Sequence, residues 1–302
     1  MYTAAKAGMM QRADKMNITF VCTGNTCRSA MAEGICKKIL TEKKIKNISC
    51  QSCGLGAFNG DEASPLAVEA AKKHGADISA HRARQLNRYI FDETDLMICM
   101  TSSHKAAIMS LNPKFKVLVP SPEISDPYGG NAEIYSRCAD QLEVFISRLI
   151  DALTAEINPM SSKHISKIAE IEKQCFSAPW TEKGIAEELN NPNAHFIVAE
   201  TDNKVLGYIG VHEVCDEAYI DNIAVLPDYR RLGMGVKLLL SARDGAFKRG
   251  CSFISLEVRK SNLAAISLYS KLGFKNVGER KNFYTDPQED AVIMTLKECD
   301  DK

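Results

Sequence analysis

A polar loop between a strand-like run and a helical pattern constrains the fold of this chain more than any other feature. The loop, at residues 22–29, reads Cys-Thr-Gly-Asn-Thr-Cys-Arg-Ser and follows the β-branched run at 17–21. A helical pattern begins directly after it, at 30–40. Inward-turned backbone N–H groups and the helix dipole both favour an anion at such a strand-to-helix turn. The sequence therefore predicts an anion-binding loop between the first strand and the first helix.

The side chains of this loop predict covalent phosphoryl transfer. Cys22 stands at the first position, where the positive field favours the nucleophilic thiolate. Arg28 can bind a phosphoryl group through two parallel hydrogen bonds. The Ser29 hydroxyl can donate a hydrogen bond to the thiolate and help the sulfur to leave. The alternative for Cys22 is a buried cysteine at a strand end, which is common.

Strand-like runs alternate with helical patterns in the first half of the chain. The runs lie at residues 18–21, 48–52, 96–100 and 116–119. Such alternation predicts βαβ units and a parallel sheet, in which ligands bind beyond the carboxyl ends of the strands. Cys22 follows the first strand directly, so its loop lies where a ligand is expected.

A second loop offers an acid. Asp126 begins the run Asp-Pro-Tyr-Gly-Gly, which precedes a helical pattern at 133–153. A carboxylic acid on a mobile loop can protonate a leaving group. An Asp-Pro pair alone is more often a turn signal, so the prediction depends on the cysteine loop as well.

The two loops together resemble the low-molecular-weight protein tyrosine phosphatase family over residues 16–155. The resemblance implies a three-layer α/β domain with a parallel sheet, acting on phosphorylated proteins without a cofactor. It implies Cys22 as nucleophile, Arg28 as phosphate ligand and Asp126 as general acid. It also implies that the rest of the loop binds the substrate phosphate: Thr23, Gly24, Asn25, Thr26, Cys27 and Ser29. In this family a cysteine at the position of Cys27 can form a protective disulfide with the nucleophile; a loop-packing role is the alternative.

Two features resemble the bacterial protein-arginine phosphatase branch of that family. These are Thr26, where an aliphatic residue is usual, and the Gly-Gly pair that follows Tyr128. A hydroxyl at Thr26 can hydrogen-bond or hold water near a planar guanidinium, whereas an isoleucine presents only hydrocarbon. Ala30 and Cys53 depart from the family's usual proline and alanine. A phosphotyrosine phosphatase and an arsenate reductase remain the alternatives. A reductase needs a second cysteine pair to relay the disulfide, and in the region matching that pair this chain has only Cys99.

Composition bounds the setting of these activities. A chain of 302 residues is comfortable for two domains. Its 38 basic and 38 acidic residues balance, which predicts no nucleic-acid or membrane partner. Eleven cysteines without disulfide spacing, and no secretory signal, predict reduced thiols in a cytoplasm. We expect residues 1–15 to form a disordered tail, and we expect no metal ion in either half.

A composition change separates the second half. Residues 156–163 are polar and contain Asn-Pro, which predicts a linker, and an amphipathic helical pattern follows from Ile165. Further on, a strand ending near Val225 leads into Arg-Arg-Leu-Gly-Met-Gly at 230–235 and then a helix to about Lys248. Backbone N–H groups at such a helix start can bind a pyrophosphate. The segment at 230–235 is not the dinucleotide-binding fingerprint, because no third glycine follows its two glycines.

This segment resembles the acetyl-CoA loop of the Gcn5-related acetyltransferase (GNAT) superfamily. Residues 160–298 also resemble the bacterial ribosomal-protein-alanine N-acetyltransferases, through Phe-Ser-Ala-Pro-Trp at 176–180 and Leu-Glu-Val-Arg at 256–259. The resemblance implies an α/β GNAT domain with a mixed sheet at 164–298, using acetyl-CoA and acting on ribosomal or other protein N-termini. It implies Glu257 as general base and Tyr269 as the acid for the CoA thiolate. The implied cofactor-binding residues are Ile223, Ala224, Val225, Arg230, Arg231, Gly233, Met234, Gly235 and Asn262.

Alternatives remain for the second half. Glu257 alternates with apolar residues and fits a solvated strand position, and Tyr269 shares a helical stripe with Ile266 and Leu272 and fits a core position. The domain as a whole could be a general amine acetyltransferase or a binding module without catalysis. Asn262 also fits the cap of a helix at 263–272.

Overall fold

Two compact units follow each other along the chain, and the boundary between them falls between Ile150 and Asp151. The computed structural model describes residues 15–202 and 204–298. The tail predicted at 1–15 lies outside the described residues except for Lys15. None of the described helices is both long and apolar enough to cross a lipid bilayer.

A parallel sheet of four strands forms the centre of the first unit. Its order is β2-β1-β3-β4, and every neighbouring pair is parallel. The strands are β1 (Met16–Cys22), β2 (Ile48–Gly54), β3 (Leu96–Cys99) and β4 (Val117–Leu118). The helices are α1 (Arg28–Glu42), α2 (Pro65–Lys73), α3 (Arg88–Asp92), α4 (Ser102–Leu111) and α5 (Ala132–Thr154). The predicted alternation and parallel sheet are therefore confirmed.

Helix α1 begins where it does because its first turn is buried against the sheet. Ala30, Met31 and Ile35 are fully buried, as are Ile18 and Phe20 of β1. Burial of such side chains contributes roughly 1.5–3 kcal/mol each relative to exposure. This packing fixes the short connection between Cys22 and Arg28 on both sides, and so fixes the loop between them.

The second unit contains a mixed sheet of seven strands in the order β10-β11-β9-β8-β7-β6-β5. Only the β8–β9 pair is parallel, and the other neighbours are antiparallel. The strands are β5 (Glu156–Pro159), β6 (Ala194–Thr201), β7 (Lys204–Val214), β8 (Glu217–Val225), β9 (Phe253–Arg259), β10 (Lys275–Thr285) and β11 (Gln288–Lys297). The helices are α6 (Ile165–Cys175), α7 (Glu182–Glu188), α8 (Met234–Lys248) and α9 (Leu263–Lys271).

The prediction of a linker at residues 156–163 is wrong. Residues Glu156–Pro159 form β5, which pairs with β6 in antiparallel register, and Ser162–His164 form a short 3₁₀ helix. Pro159 is compatible with this strand because β5 lies at the edge of the sheet, where a residue without an N–H is tolerated. The domain bounds of 16–155 and 164–298 stay a prediction.

The β8–β9 pair opens part-way along its length. The ladder joins Glu217–Ile220 to residues 253–256 and stops there. Beyond it, the backbone groups of β8 that face β9 have no strand partner among the described residues. Strand β8 continues to Val225 alongside β7, while β9 continues past Glu257 alongside β11. The predicted cofactor residues 223–225 and Glu257 therefore lie on the two sides of an opening in the sheet.

Candidate active sites

The loop at the end of β1 is held by the side chain of Asn25. This residue is fully buried and has a φ of 56°, a left-handed conformation that asparagine adopts more readily than most residues. Its Nδ2 donates to Ser29 Oγ at 2.9 Å and to Ser52 Oγ at 2.8 Å, and its Oδ1 accepts from Arg84 N at 2.8 Å. All hydrogen-bonding groups of the amide are thus engaged, which stabilises the loop conformation.

Cys22 lies inside this loop with two hydrogen-bonding neighbours. Its side chain is 3% exposed; Sγ accepts from Asn25 N at 3.2 Å and lies 3.0 Å from Ser29 Oγ. Because Asn25 uses its amide hydrogens on Ser29 and Ser52, Ser29 Oγ accepts there and keeps its own hydrogen. That hydrogen can point to the sulfur or to the Cys53 carbonyl at 3.3 Å. The geometry is the one that the predicted role of Ser29 requires.

Arg28 and Asp126 meet at the mouth of the loop. Arg28 is 4% exposed; it donates from Nη2 to Asp126 Oδ2 at 2.5 Å and from Nη1 to the Ile124 carbonyl at 3.3 Å. The Asp126 carboxylate is half exposed and also accepts from Tyr128 N at 3.2 Å. The structure therefore brings the loop acid to the predicted phosphate ligand, although 98 residues separate them in sequence.

In the second unit, the segment between β8 and α8 has the backbone of an anion site. Arg231 has a φ of 65° and Gly233 a φ of 87°, and α8 starts at Met234. The first N–H groups of this 15-residue helix, from Met234 and Gly235 onward, have no acceptors within the helix. A Cβ at residue 233 would meet nothing within 4 Å, so the glycine is required by its φ rather than by crowding.

Arg230 has a different environment from the one its predicted role suggests. Its Nε donates to the Val225 carbonyl at 3.1 Å, and its Nη2 lies 3.3 Å from Cys175 Sγ. The guanidinium thus connects the loop to the ends of β8 and α6. Its place in cofactor binding stays a prediction, and these contacts favour a contribution through the loop conformation.

Glu257 lies on β9 at the opening of the sheet, and Tyr269 lies on α9, the helix that follows β9 in the chain. Glu257 Oε1 is 3.3 Å from Arg280 Nη1. Tyr269 is 6% exposed, and burial raises its pKa to about 12, with a further contribution from Tyr284. Among the described residues, no group forms a hydrogen bond with the Tyr269 hydroxyl. Asn262 Oδ1 accepts from Ala265 N at 3.1 Å, so the predicted helix cap is confirmed.

Comparison with known proteins finds one enzyme family in each half of the chain. Residues 17–159 match the low molecular weight phosphotyrosine protein phosphatase family, and residues 165–274 match the acetyltransferase (GNAT) family. The protein-arginine-phosphatase of Geobacillus stearothermophilus is 37% identical over 148 residues, which cover 46% of this chain and 97% of that protein. The ribosomal protein bS18-alanine N-acetyltransferase of Escherichia coli (strain K12) is 39% identical over 142 residues, which cover 46% of this chain and 95% of that protein. A Bacillus subtilis (strain 168) protein provisionally given the same activity is 43% identical over 141 residues, covering 46% and 93%.

The chain belongs to both families. It therefore joins a phosphatase domain and a GNAT domain, each from a family of enzymes, in one polypeptide. The predicted fold class and the predicted resemblance are confirmed, while the roles assigned to single residues stay predictions.

The phosphatase domain contains two histidines that the sequence analysis missed. His81 Nε2 donates to the Asn25 carbonyl at 2.7 Å. His104 is 6% exposed; its Nε2 lies 3.0 Å from Thr23 Oγ1 and its Nδ1 lies 2.7 Å from Thr101 Oγ1. Burial lowers the pKa of His104, and the Arg28 guanidinium lowers it further. The available signal for His104 was its position just beyond the carboxyl end of a predicted strand.

Cys27 also has a partner that the sequence did not indicate. Its Sγ lies 3.3 Å from the hydroxyl of Tyr135, on helix α5. Burial, together with this thiol, raises the pKa of Tyr135 to about 12. Cys22 and Cys27 are both free thiols here, so their disulfide stays a prediction.

The GNAT domain contains one further residue beside the predicted pair. The Tyr284 hydroxyl donates to the Glu257 carbonyl at 3.3 Å, and the Tyr284 ring lies 4.2 Å below the guanidinium of Arg259. Tyr284 thus contacts the strand of Glu257 and contributes to the raised pKa of Tyr269. It follows no motif, and only the β10–β11 hairpin brings it to the site.

Proposed function

We propose that the phosphatase domain hydrolyses phosphoarginine in proteins and that the GNAT domain acetylates the N-terminal alanine of ribosomal or other proteins. The observation that carries the first half is a cysteine held between Asn25 N–H and Ser29 hydroxyl, with Arg28 and Asp126 at the same loop. The names of the two sets of relatives support the substrate classes. Substrates of these kinds, and cysteines without disulfide spacing, favour the cytoplasm as the place of action.

The phosphatase reaction follows from the residues of the loop. Arg28 and the loop N–H groups bind the phosphoryl oxygens, and the Cys22 thiolate attacks phosphorus. The P–N bond to the guanidine breaks while Asp126 donates its proton to the leaving nitrogen. Water then attacks the phosphocysteine, the Asp126 carboxylate accepts its proton, and the sulfur leaves as a thiolate that accepts a hydrogen bond from Ser29.

Thr26 supports phosphoarginine over phosphotyrosine. Its side chain is half-buried, and its hydroxyl lies 3.7 Å from Cys27 Sγ, too far for a strong hydrogen bond. The hydroxyl is therefore available to a guanidinium or to a water beside it. Tyr128 on the acid loop is exposed, and the two glycines that follow it add no further side chain beside it.

The test is a comparison of kcat/KM for a phosphoarginine protein and a phosphotyrosine peptide on the full chain. We expect the higher value for phosphoarginine, and a phosphoryl group on Cys22 after rapid acid quench, both of which Cys22→Ser abolishes. A preference for phosphotyrosine would assign the alternative substrate. Full activity in Cys22→Ser would exclude the mechanism.

Acetyl-CoA fits the residues of the GNAT domain. The cofactor supplies the acetyl group as an activated thioester. The left-handed turn at Arg231 and Gly233 places the free N–H groups of α8 as a pyrophosphate site. The opening between β8 and β9 leaves backbone groups at residues 223–225 for further contacts, except the Val225 carbonyl, which accepts from Arg230.

Two side chains serve proton transfer in this domain. An α-ammonium group has a reference pKa of about 7.7–8.0 and must lose its proton before it attacks. Glu257 can accept that proton, directly or through water. Tyr269, whose pKa is raised to about 12, remains protonated at neutral pH and can donate to the departing thiolate.

Incubation with acetyl-CoA and a peptide that begins with alanine tests this half. We expect one acetyl group on the α-amine by mass spectrometry, and none on the same peptide with a blocked N-terminus. Acetylation of lysine in the blocked peptide would assign a general amine acetyltransferase instead. No acetylation of any amine would indicate a binding module.

A further inference from the structure

Glu172, on helix α6, is fully buried although it carries a carboxyl group. Its Oε2 accepts from the backbone N–H of Trp180 at 2.7 Å. Its Oε1 accepts from Asn222 Nδ2 at 3.1 Å and from the Tyr208 hydroxyl. Burial and the adjacent carboxylate raise the pKa of Tyr208, so its hydroxyl stays protonated and donates. Both carboxylate oxygens therefore accept hydrogen bonds, one from a backbone N–H and the other from an amide and a hydroxyl.

The three donors belong to different parts of the domain. Trp180 lies in the loop at 176–181, between α6 and α7, and its ring packs on Phe196 with centroids 5.9 Å apart. Tyr208 lies on β7 and Asn222 on β8, directly before the predicted cofactor residues 223–225. A buried donor left without an acceptor lowers the stability of the folded domain. These hydrogen bonds therefore fix the loop relative to β8.

The other side of the same loop contacts the hairpin beside Glu257. Ser177 Oγ donates to the Asp286 carbonyl at 3.0 Å. Arg259, two positions after Glu257 on β9, donates to the carbonyls of Asp286 at 2.7 Å and Pro287 at 3.0 Å. The loop at 176–181 and the turn at 286–287 therefore meet next to the strand that carries the predicted base.

We propose that Glu172 is a positioning residue for the acceptor of acetyl transfer. It holds the loop at 176–181 in the place where, with the turn at 286–287, the loop lines the approach of the acceptor N-terminus to Glu257. Among the described residues, no hydrogen bond joins this loop to the first N–H groups of α8, although Arg230 contacts Cys175 directly before the loop. We therefore expect the cofactor cradle to keep its conformation when the loop moves. The inference rests on the proposed acetyltransferase function, and it predicts separate effects on acceptor and cofactor.

Glu172→Gln tests the proposal because one acceptor oxygen becomes a donor group. Whichever way the amide is turned, at least one of the three donors loses its acceptor. Trp180 is the only tryptophan of the chain, so its fluorescence reports on this loop. We expect stronger quenching of Trp180 by acrylamide and a KM for the alanine peptide raised by roughly 5- to 100-fold. The Kd for acetyl-CoA should remain that of the wild type.

Glu170→Gln is the matched control, since Glu170 lies exposed on the same helix and loses the same charge. It should change neither quenching nor KM. Glu172→Asp is the second variant and is judged by the same criteria, because its shorter side chain keeps the charge but cannot reach Trp180, Tyr208 and Asn222 together.

Unchanged Trp180 quenching in every folded Glu172 variant would overturn the proposal. Acetyl-CoA affinity that falls as far as peptide affinity would also overturn it, because the effect would then be general. If the wild type acetylates no peptide, the proposed function fails, but the quenching experiment still decides whether Glu172 fixes the loop.

Discussion

Arg28 and Asp126 are bonded to each other across 2.5 Å, from a guanidinium nitrogen to a carboxylate oxygen. The predicted phosphate ligand thus holds the predicted general acid. A phosphoryl group offers Arg28 more negative charge than one carboxylate does, so we expect substrate to displace Asp126 from Arg28. The displaced acid is then next to the leaving group that it must protonate.

Asp126→Asn should separate these roles. The amide can still accept from Arg28 but cannot supply a proton, so kcat for phosphoarginine should fall by about 10²- to 10⁴-fold. Substrates with good leaving groups should lose much less. Asp92→Asn, at an exposed helix position, is the control. Equal losses for good and poor leaving groups, measured by steady-state kinetics, would contradict the acid role.

Thr26→Ile should change the choice of substrate. The substitution replaces a free hydroxyl with hydrocarbon, and a lost buried polar contact is worth about 1–3 kcal/mol. The ratio of kcat/KM for phosphoarginine to that for phosphotyrosine should fall by about 5- to 150-fold. Thr41→Ile, whose hydroxyl bonds only within its own helix, should leave the ratio unchanged. An unmoved ratio in Thr26→Ile would remove the basis for the substrate proposal.

Tyr269→Phe should slow acetyl transfer without destabilising the domain. The side chain is 6% exposed and its hydroxyl has no hydrogen-bond partner among the described residues, so the fold loses no hydrogen bond with it. We expect kcat to fall by about 10²- to 10⁴-fold, and the same for Glu257→Gln, while calorimetry gives an unchanged Kd for acetyl-CoA. Tyr219→Phe, on the exposed part of β8, serves as control. Loss of cofactor affinity in Glu257→Gln would reassign that residue to binding.

His104 should make the phosphatase domain less stable in mild acid. Burial and Arg28 lower its pKa in the folded state, whereas Asp126 and Glu123 oppose the shift. As the pH falls below the unfolded value of about 6.5, the unfolded chain binds a proton that the fold resists. The stability that the domain has above that pH is therefore lost as the pH falls towards the folded-state pKa of His104. NMR titration should give a His104 midpoint below 6.5, and His104→Asn should reduce the loss of stability between neutral pH and that midpoint. A midpoint above 6.5 would reverse the sign.

Local order along the chain explains why the two loops could be predicted. Cys22 and Gly233 each stand between a strand and a helix, and both the strand-loop-helix pattern and the required residue types lie within about twenty positions. Asp126 needed the resemblance, because its contact with Arg28 spans 98 residues.

Long-range packing explains what could not be predicted. Asn158 and Pro159 are turn formers and predict a linker, whereas the partner of β5, strand β6, begins only at Ala194. His104, Tyr135 and Tyr284 reach the sites through the packing of α4, α5 and the β10–β11 hairpin. Glu172 resembles any other helical glutamate until its burial is known.

We infer that one chain carries two independent active sites. The direct measurement assays three purified full-length proteins, wild type, Cys22→Ser and Glu257→Gln, in both reactions under the same conditions. The prediction is that Cys22→Ser loses phosphoarginine hydrolysis and keeps N-terminal acetylation, while Glu257→Gln shows the reverse. Loss of both reactions in either variant, or a wild type inactive in one of them, would contradict it.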